Sequence, residues 1–358
     1  MKIIFILKTI EQQRCIKRIQ TFINHGYDVE VYGFHRKQNV QQQYSFPIHS
    51  LGVIPEGASF SQRNKMYLTA RKIVRQFRDD RNVLFYLFGL DLALPLIFCS
   101  SAKHYIYEES DLIHTKFKSG SVIRLFEIID KWIIKKSKVS VLTSEGFVRY
   151  HYGEAPAPKN VCVLPNKLNP KCKDLLPGHR DADFNNLVIG FVGFFRYESV
   201  YNFLYVTAKE HPETQVKLFG ANSGWTESQL SKLLSFGNVT DEGPFKNPTE
   251  LPSVYSKIDL VVSTYDIEDD NPRYAEPNKI YESIYFETPI IVSSQTFLAD
   301  KVDSLGIGFH LNAKKDEEVI DFWKQLNRQM LEEKKSNCRK IEKDYCIDDE
   351  SELFEKLK

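Results

Sequence analysis

The stretch YAEPNKIYESIYFETPIIVSS, from Tyr274 to Ser294, sets charged and amide side chains at the mouth of a predicted helix. Glu276, Asn278 and Lys279 stand at or before its first turn, and Glu282 follows one turn on. A helix N-terminus carries unpaired N–H groups and the positive end of the dipole, so it attracts anions. The dipole alone does not favour a lysine there. Lys279 makes sense as a mobile charge if an anion such as a diphosphate docks beside it. Glu282 is placed to accept both hydroxyls of a ribose. Pro277 in the first turn costs nothing, because its missing N–H would be unbonded anyway. Plain helix capping accounts for the same residues without a ligand, and spacing does not separate the two readings.

Other groups offer less. The loop DIEDD (Asp266–Asp270) could bind Mg²⁺, but a solvated loop is the plainer reading, and no metal is expected. His104, His114 and His151 have no partners at a readable spacing and are not assigned to catalysis. Cys15, Cys99, Cys162, Cys172, Cys338 and Cys346 are scattered, with no C-x-x-C pair and no zinc-finger spacing. Free thiols in a reducing cytosol are expected.

The elements that must position these residues alternate. KIIFIL (Lys2–Leu7) reads as a buried parallel strand, followed by a helix over about Glu11 to His25 with Gly26 just past its end. YDVEVYGF, NVLFYLF, HYIYEE and KVSVLTS read as further strands. Between them, Arg63 to Arg78 reads as a helix whose apolar residues recur at helical spacing, with six basic residues largely off that stripe. From Leu84 to Cys99 the run is apolar but interrupted by Gly89, Asp91 and Pro95; it reads as a strand, a turn and a helix start. Breakers between about Pro165 and Asn186 mark a linker. A second series follows: NLVIGFVGFF, QVKLFG, KIDLVVST and PIIVSS as strands with helices between. The expected fold is α/β, with two Rossmann-like domains in tandem. The expected divisions are residues 1–170, a linker at 171–186, residues 187–340, and a terminal helical segment at 341–358.

A chain of 358 residues fits two domains. Its net charge of +1 hides an asymmetry. Residues 1–185 hold 28 Lys and Arg against 17 Asp and Glu; the remainder holds 20 against 30. Only the first half is therefore suited to an anionic partner. A nucleic-acid partner is not expected, because no basic-aromatic ribbon or recognised motif is present. No secretory signal is expected: the apolar run Met1–Leu7 is short and Lys8 follows it. No stretch reaches the ~18 apolar residues of a spanning helix.

The Tyr274–Ser294 segment resembles the donor-site segment of GT-B glycosyltransferases, especially the large retaining group 1-like family of bacterial polysaccharide enzymes. Four further stretches are similar to that family in the same order: IYEESDL (Ile106–Leu112), VSVLTSEGF (Val139–Phe147), VCVLPNKLN (Val161–Asn169) and IGFVGFFR (Ile189–Arg196). The resemblance implies a nucleotide-diphosphate sugar as co-substrate, with no cofactor and no required metal. It implies that Glu282 holds the ribose, Arg196 and Lys279 the diphosphate, and Asn278 the loop, and that Gly193 admits the phosphates. In the first domain it implies that Glu108 and Asp111 face the sugar or acceptor across a cleft, with Glu109, Ser144 and Glu145 on the acceptor side. The terminal helix would cross back to the first domain.

The chain departs from the family in places. The first acid of the family's pair would fall at Tyr274, and Glu276 comes two residues late. The lysine expected five residues after Arg196 is Tyr201, and the histidine of the first-domain motif is Ser110. KTIEQQRCIK replaces the Gly-rich loop after the first strand, and Arg14 or Lys17 is left to take over its anion contacts. The implied reaction moves a sugar to a hydroxyl of a glycan or lipid-linked glycan in surface polysaccharide synthesis. An inverting route would use Glu108, Glu109 or Asp111 as base; a retaining route needs none. Alternatives are a nucleotide-sugar-binding subunit that supports a partner transferase, and a nucleotide-sugar 2-epimerase of the same fold. The expected location is the cytoplasm, at most peripheral on an anionic membrane surface through the Arg63–Arg78 face and KWIIKKSK.

Overall fold

The computed structural model describes all residues except 37–43, 56, 101–103, 176–182 and 185, together with the side chains at 13, 60, 99 and 100. The chain forms two α/β units, one of Met1–Leu164 with Asp349–Lys358 and one of Pro165–Asp348.

The first unit holds β1 (Lys2–Leu7), β2 (Asp28–His35), β3 (Ile48–Val53), β4 (Val83–Phe88), β5 (Tyr105–Glu109), β6 (Val139–Leu142) and β7 (Val161–Val163). They form one parallel sheet in the order β3-β2-β1-β4-β5-β6-β7. The second unit holds β8 (Val188–Phe195), β9 (Gln215–Asn222), β10 (Val239–Gly243), β11 (Leu260–Ser263), β12 (Ile290–Ser293) and β13 (Gly308–Leu311), in the order β10-β9-β8-β11-β12-β13. The central strands are continuous apolar runs because helices cover both faces of a parallel sheet. Both sheets reverse strand order once, between β1 and β4 and between β8 and β11. At such a switch point a crevice opens beyond the strands' carboxyl ends.

Gly26 closes the first helix (Gln13–Asn24) with φ +77°, and its N–H donates to the Ile23 carbonyl. The stretch from Arg63 to Arg78 is not one helix. A capping box at Ser59 starts a helix over Phe60–Tyr67, a 3₁₀ turn follows at Leu68–Ala70, and a second helix runs Arg71–Phe77. At the junction the Thr69 hydroxyl donates to the Met66 carbonyl, competing with the helical ladder. Lys65, Lys72, Arg75 and Arg78 remain exposed while Tyr67, Ala70, Ile73 and Val74 are buried. Pro95 does not end its segment but lies inside the Leu90–Ser100 helix.

The boundary falls earlier than the breakers suggest. Residues 165–175 pack into the second unit: Leu168 bridges to Ile347, Cys172 is buried, and the Tyr285 hydroxyl donates to the Cys172 carbonyl at 2.7 Å. Much of the expected linker, residues 176–182 and 185, lies outside the described residues. The chain rejoins the first unit only at Asp349, eight residues later than expected. The Ser351–Leu357 helix then buries Leu353, Phe354 and Leu357 in the first unit's core. Phe354 stacks on His25 at 3.7 Å between centroids and meets Phe22 at 5.0 Å. Among the described side chains, Cys15, Cys162, Cys172, Cys338 and Cys346 are buried free thiols.

Phe354→Ala is expected to destabilise the first unit by about 3–5 kcal/mol, the usual cost of emptying a buried aromatic site. Urea unfolding measures it. A loss below ~1 kcal/mol would mean that the terminal helix is not part of that core.

Candidate functional site

Around the second sheet's switch point, Gly193 has φ +149°, a conformation that suits only glycine. A Cβ there would meet nothing closer than a Phe191 ring carbon at 3.9 Å. Crowding instead affects its cross-strand partner Gly220, where a Cβ would fall 1.9 Å from the Gly193 carbonyl oxygen. The glycine pair thus sets the approach of β8 and β9.

Beyond β8, Arg196 is exposed and stacks on Tyr197, its guanidinium 4.8 Å from the ring centroid and donating to the Tyr197 hydroxyl at 2.8 Å. Tyr197 meets Tyr265, just beyond β11, edge to face at 4.6 Å. Burial pushes the Tyr265 hydroxyl pKa up most, Tyr197 adds to it, and the charges of Arg196 and Glu282 act there with opposite signs. Tyr265 thus lies within electrostatic reach of both Arg196 and Glu282, and its ring packs against Tyr197.

Glu282 lies in the short helix Lys279–Tyr285 and has no exposed surface. Its carboxylate accepts from the Tyr255 hydroxyl at 2.7 Å, from Lys279 Nζ at 2.7 Å and from the Asn278 amide. Asn278 makes no side-chain capping bond, so the capping reading does not describe it. Lys279 is not the mobile charge expected: it is buried and held by Glu282. Burial and the Glu282 charge drive the Tyr255 hydroxyl pKa well up. Glu276 accepts from Tyr281 and Lys301 through Oε1, while its buried Oε2 has no hydrogen-bond partner. Lys167 and Lys301 both lie over the Tyr281 and Tyr345 rings beside it.

The DIEDD loop is not simply solvated. Asp266 accepts from the Glu198 and Ser199 amides at 3.1 and 2.9 Å, capping the Glu198–Glu210 helix, and pairs with Lys314 at 3.2 Å. Burial opposes its charge, but those amides and Lys314 hold its pKa below the ordinary value. The helix N-terminus after β8 is thus already occupied by a protein carboxylate. Lys314 is spent on Asp266, whereas Arg196 is exposed beyond β8.

In the first unit, Glu108 and Glu109 are fully buried, as Glu282 is in the second. As neighbours on β5 they project to opposite faces of the sheet. Glu108 Oε2 accepts from Arg18 Nε at 3.1 Å and from the Tyr86 hydroxyl, and Arg18 also bonds Glu350 of the terminal segment. Burial works against the Glu108 charge, but Arg18, Arg14 and Tyr86 together lower its pKa. Glu109 Oε2 lies 2.8 Å from His151 Nε2, and burial together with the Asp130 charge raises its pKa well above normal. Asp130 accepts from Tyr107 at 2.7 Å and sits 3.4 Å from His114. His114 and His151 therefore do have partners, Asp130 from a helix and Glu109 from β5. One ligand atom each of Glu109, His114 and Asp130 lies within 4.8 Å of the others, a spacing that could hold a small cation. The same closeness lets the two carboxyls share a proton. Ser144 is buried and accepts from the Gly146 amide as a helix cap. Asp111 and Glu145 are exposed.

Sequence reasoning missed Tyr197, Tyr255, Tyr265 and Lys301. Tyr197 and Tyr265 were visible as aromatics just past two strand ends at one switch point; the other two had no local signal.

No protein-family model matches the chain, and no curated protein matches it in sequence. Solved structures match over nearly the whole length. HepE of Anabaena, in complex with UDP-glucose, matches with a TM-score of 0.66 at 13% identity, over 100% of this chain and 98% of that one. Sucrose-phosphate synthase of Thermosynechococcus elongatus matches with a TM-score of 0.67 at 13% identity, over 94% of each chain. WaaG, a glycosyltransferase involved in lipopolysaccharide biosynthesis, gives 0.64 at 14%, over 94% of this chain and 93% of that one. The chain has the GT-B fold.

The Glu108 network predicts a pH effect. Its folded pKa lies below the unfolded value, so the stability it contributes is present above the ordinary carboxylate range, about pH 4–5, and is lost as pH falls through the folded value. Wild type should therefore lose more stability than Glu108→Gln on acidification from pH 7 to about pH 3.5. Urea midpoints at the two pH values measure this, and equal losses would contradict it.

Proposed function

We propose that the chain is a nucleotide-sugar-dependent glycosyltransferase that moves a sugar from a nucleotide diphosphate to a hydroxyl of a glycan or lipid-linked glycan. The wall formed by Arg196, Tyr197, Tyr265, Glu282 and Lys279 carries this reading. It pairs a carboxylate suited to ribose hydroxyls with two cations suited to a diphosphate, at the switch point where a GT-B sheet offers a ligand crevice. Similarity in fold to HepE, whose structure holds UDP-glucose, supports the same ligand class.

Negative charge develops on the departing diphosphate, and the chief demand is to stabilise it. Arg196 and Lys279 meet that demand as fixed cations. Glu276 Oε2 is free to accept a hydroxyl from the transferred sugar. Glu108 and Glu109 are committed to internal networks, so of the three carboxylates Asp111 is left as the base for an inverting route.

The charge asymmetry and the helix Gly120–Lys136 support peripheral attachment at the cytoplasmic face of a membrane. On that helix Leu125, Ile128 and Trp132 are 55%, 66% and 40% exposed, and Phe98, also 56% exposed, meets Trp132 at 5.1 Å. Arg124, Lys135 and Lys136 are exposed beside them. An apolar stripe flanked by cations suits an anionic lipid surface, where each basic residue contributes on the order of 1 kcal/mol. Among the described residues no helix is long and apolar enough to span a bilayer.

A thermal-shift screen against UDP, GDP, dTDP and CMP should find one that stabilises wild type by ~2–4 kcal/mol at saturation. Lys279→Ala should weaken that diphosphate by about 1–3 kcal/mol and the bare nucleoside far less. No stabilisation by any of the four would sink the transferase reading. For the membrane, flotation with anionic vesicles should show binding at low salt that Ile128→Ser with Trp132→Ser abolishes. Equal flotation of that variant would contradict attachment through this helix.

A further inference from the structure

Behind β5 the first unit buries polar atoms that nothing in the protein satisfies. Glu109 Oε1, His114 Nδ1 and Asp130 Oδ2 have no hydrogen-bond partner, and their three residues have no exposed surface. Buried groups of this kind are costly unless something pairs with them. They come from β5, from a 3₁₀ turn (Ile113–Lys116) and from the helix Gly120–Lys136, so folding alone brings them together. One ligand atom of each lies within 4.8 Å of the others. His114 Nδ1 and Asp130 Oδ2 stand 3.4 Å apart. That is close to the roughly 3.3 Å between neighbouring ligands of a tetrahedral ion with bonds of about 2 Å.

The other polar atom of each side chain is held in place. Glu109 Oε2 lies 2.8 Å from His151 Nε2, Asp130 Oδ1 accepts from the Tyr107 hydroxyl at 2.7 Å, and His114 Nε2 lies 3.2 Å from the Tyr150 hydroxyl. Metal ligands are oriented in this way, by partners on the atom that does not touch the metal. In the tautomer that donates from Nε2 to Tyr150, His114 Nδ1 carries a lone pair. Three acceptors then converge, and one shared proton joins two of them at most. A cation serves all three.

We propose that Glu109, His114 and Asp130 bind one divalent ion of the zinc class as a structural centre of the first unit. Two carboxylates balance the charge of a divalent ion. An imidazole in the set favours zinc over magnesium and calcium, which prefer oxygen alone. Three protein ligands leave a fourth position for water. The Tyr152 hydroxyl, also buried without a partner and within reach of the charges of Glu109 and Asp130, is suited to bond that water. The ion joins β5 to the helix Gly120–Lys136. It also ties down both ends of residues 110–113, the stretch that carries exposed Asp111. The proposal does not rest on the transferase reading and gives the ion no part in sugar transfer.

The intact chain is unfolded in urea with EDTA, refolded with excess Zn²⁺, Co²⁺ or Mg²⁺, freed of unbound metal by gel filtration and assayed for metal. Wild type should retain one Zn²⁺ per chain and melt at a higher temperature than the metal-free chain. Co²⁺ should be retained in its place, with the visible absorption of a tetrahedral nitrogen–oxygen site, and Mg²⁺ should not. Glu109→Gln and His114→Gln should each weaken Zn²⁺ binding by about a hundredfold or more, and Tyr107→Phe, which keeps all three ligands, by about 10–100-fold. His49→Gln, which removes a surface histidine 3.6 Å from Glu30, should bind as wild type does. Near-UV circular dichroism confirms that each variant is folded, and Tyr107→Phe carries the test if a ligand variant is not. Failure of wild type to retain Zn²⁺ or Co²⁺ would overturn the proposal and leave the cluster a proton-sharing pair. Retention of Mg²⁺ in preference to Zn²⁺ would overturn the zinc class. Wild-type affinity in Glu109→Gln, His114→Gln and Tyr107→Phe would place the metal elsewhere and overturn the site.

Discussion

A carboxylate with no exposed surface must be paired, and the way Glu282 is paired organises the second unit's site. Removing a charged group from water costs several kcal/mol unless hydrogen bonds replace the lost hydration. Glu282 recovers them from Tyr255, Lys279 and Asn278, three donors drawn from two helices and the turn before the second. The arrangement fixes a lysine beside a carboxylate at a sheet's ligand-binding edge. It also explains why Lys279 stands where a helix dipole disfavours it: its immediate partner is the carboxylate one turn on.

The two sheets repeat one plan with different chemistry. At the second switch point, aromatic stacking positions a single exposed arginine, and Asp266 fills the helix end behind it. At the first, three arginines and two lysines line a cavity that has two aspartates among its described residues. The excess of positive charge in residues 1–185 is thus spread between this cavity, the exposed Arg63–Arg78 face and the Gly120–Lys136 helix.

The central strands were legible because a parallel sheet buried on both faces demands unbroken apolar runs. The strands not anticipated were β3, β7, β10 and β13, which are the four sheet edges. An edge strand answers to one neighbour only, so IHSLGV and VTDEG keep polar residues that hide their pattern. The site was legible in part for a similar reason. Lys279 and Glu282 sit one turn apart, a spacing that sequence reports directly. The partners of Glu108, Glu109 and His151 come from up to 242 positions away, in the case of Glu350 across from Glu108 through Arg18, and no local pattern encodes them. Both glutamates looked available because sequence shows charge but not burial.

The central claim is that the Glu282 cluster is a ribose site with cations placed for the attached diphosphate. A crystal structure of the chain with its stabilising nucleoside diphosphate tests this most directly. The account predicts that the ribose hydroxyls bond Glu282 and that Arg196 and Lys279 contact the diphosphate. A nucleotide bound elsewhere, with Glu282 still holding only Tyr255, Lys279 and Asn278, would contradict it and leave the cluster a structural ion pair.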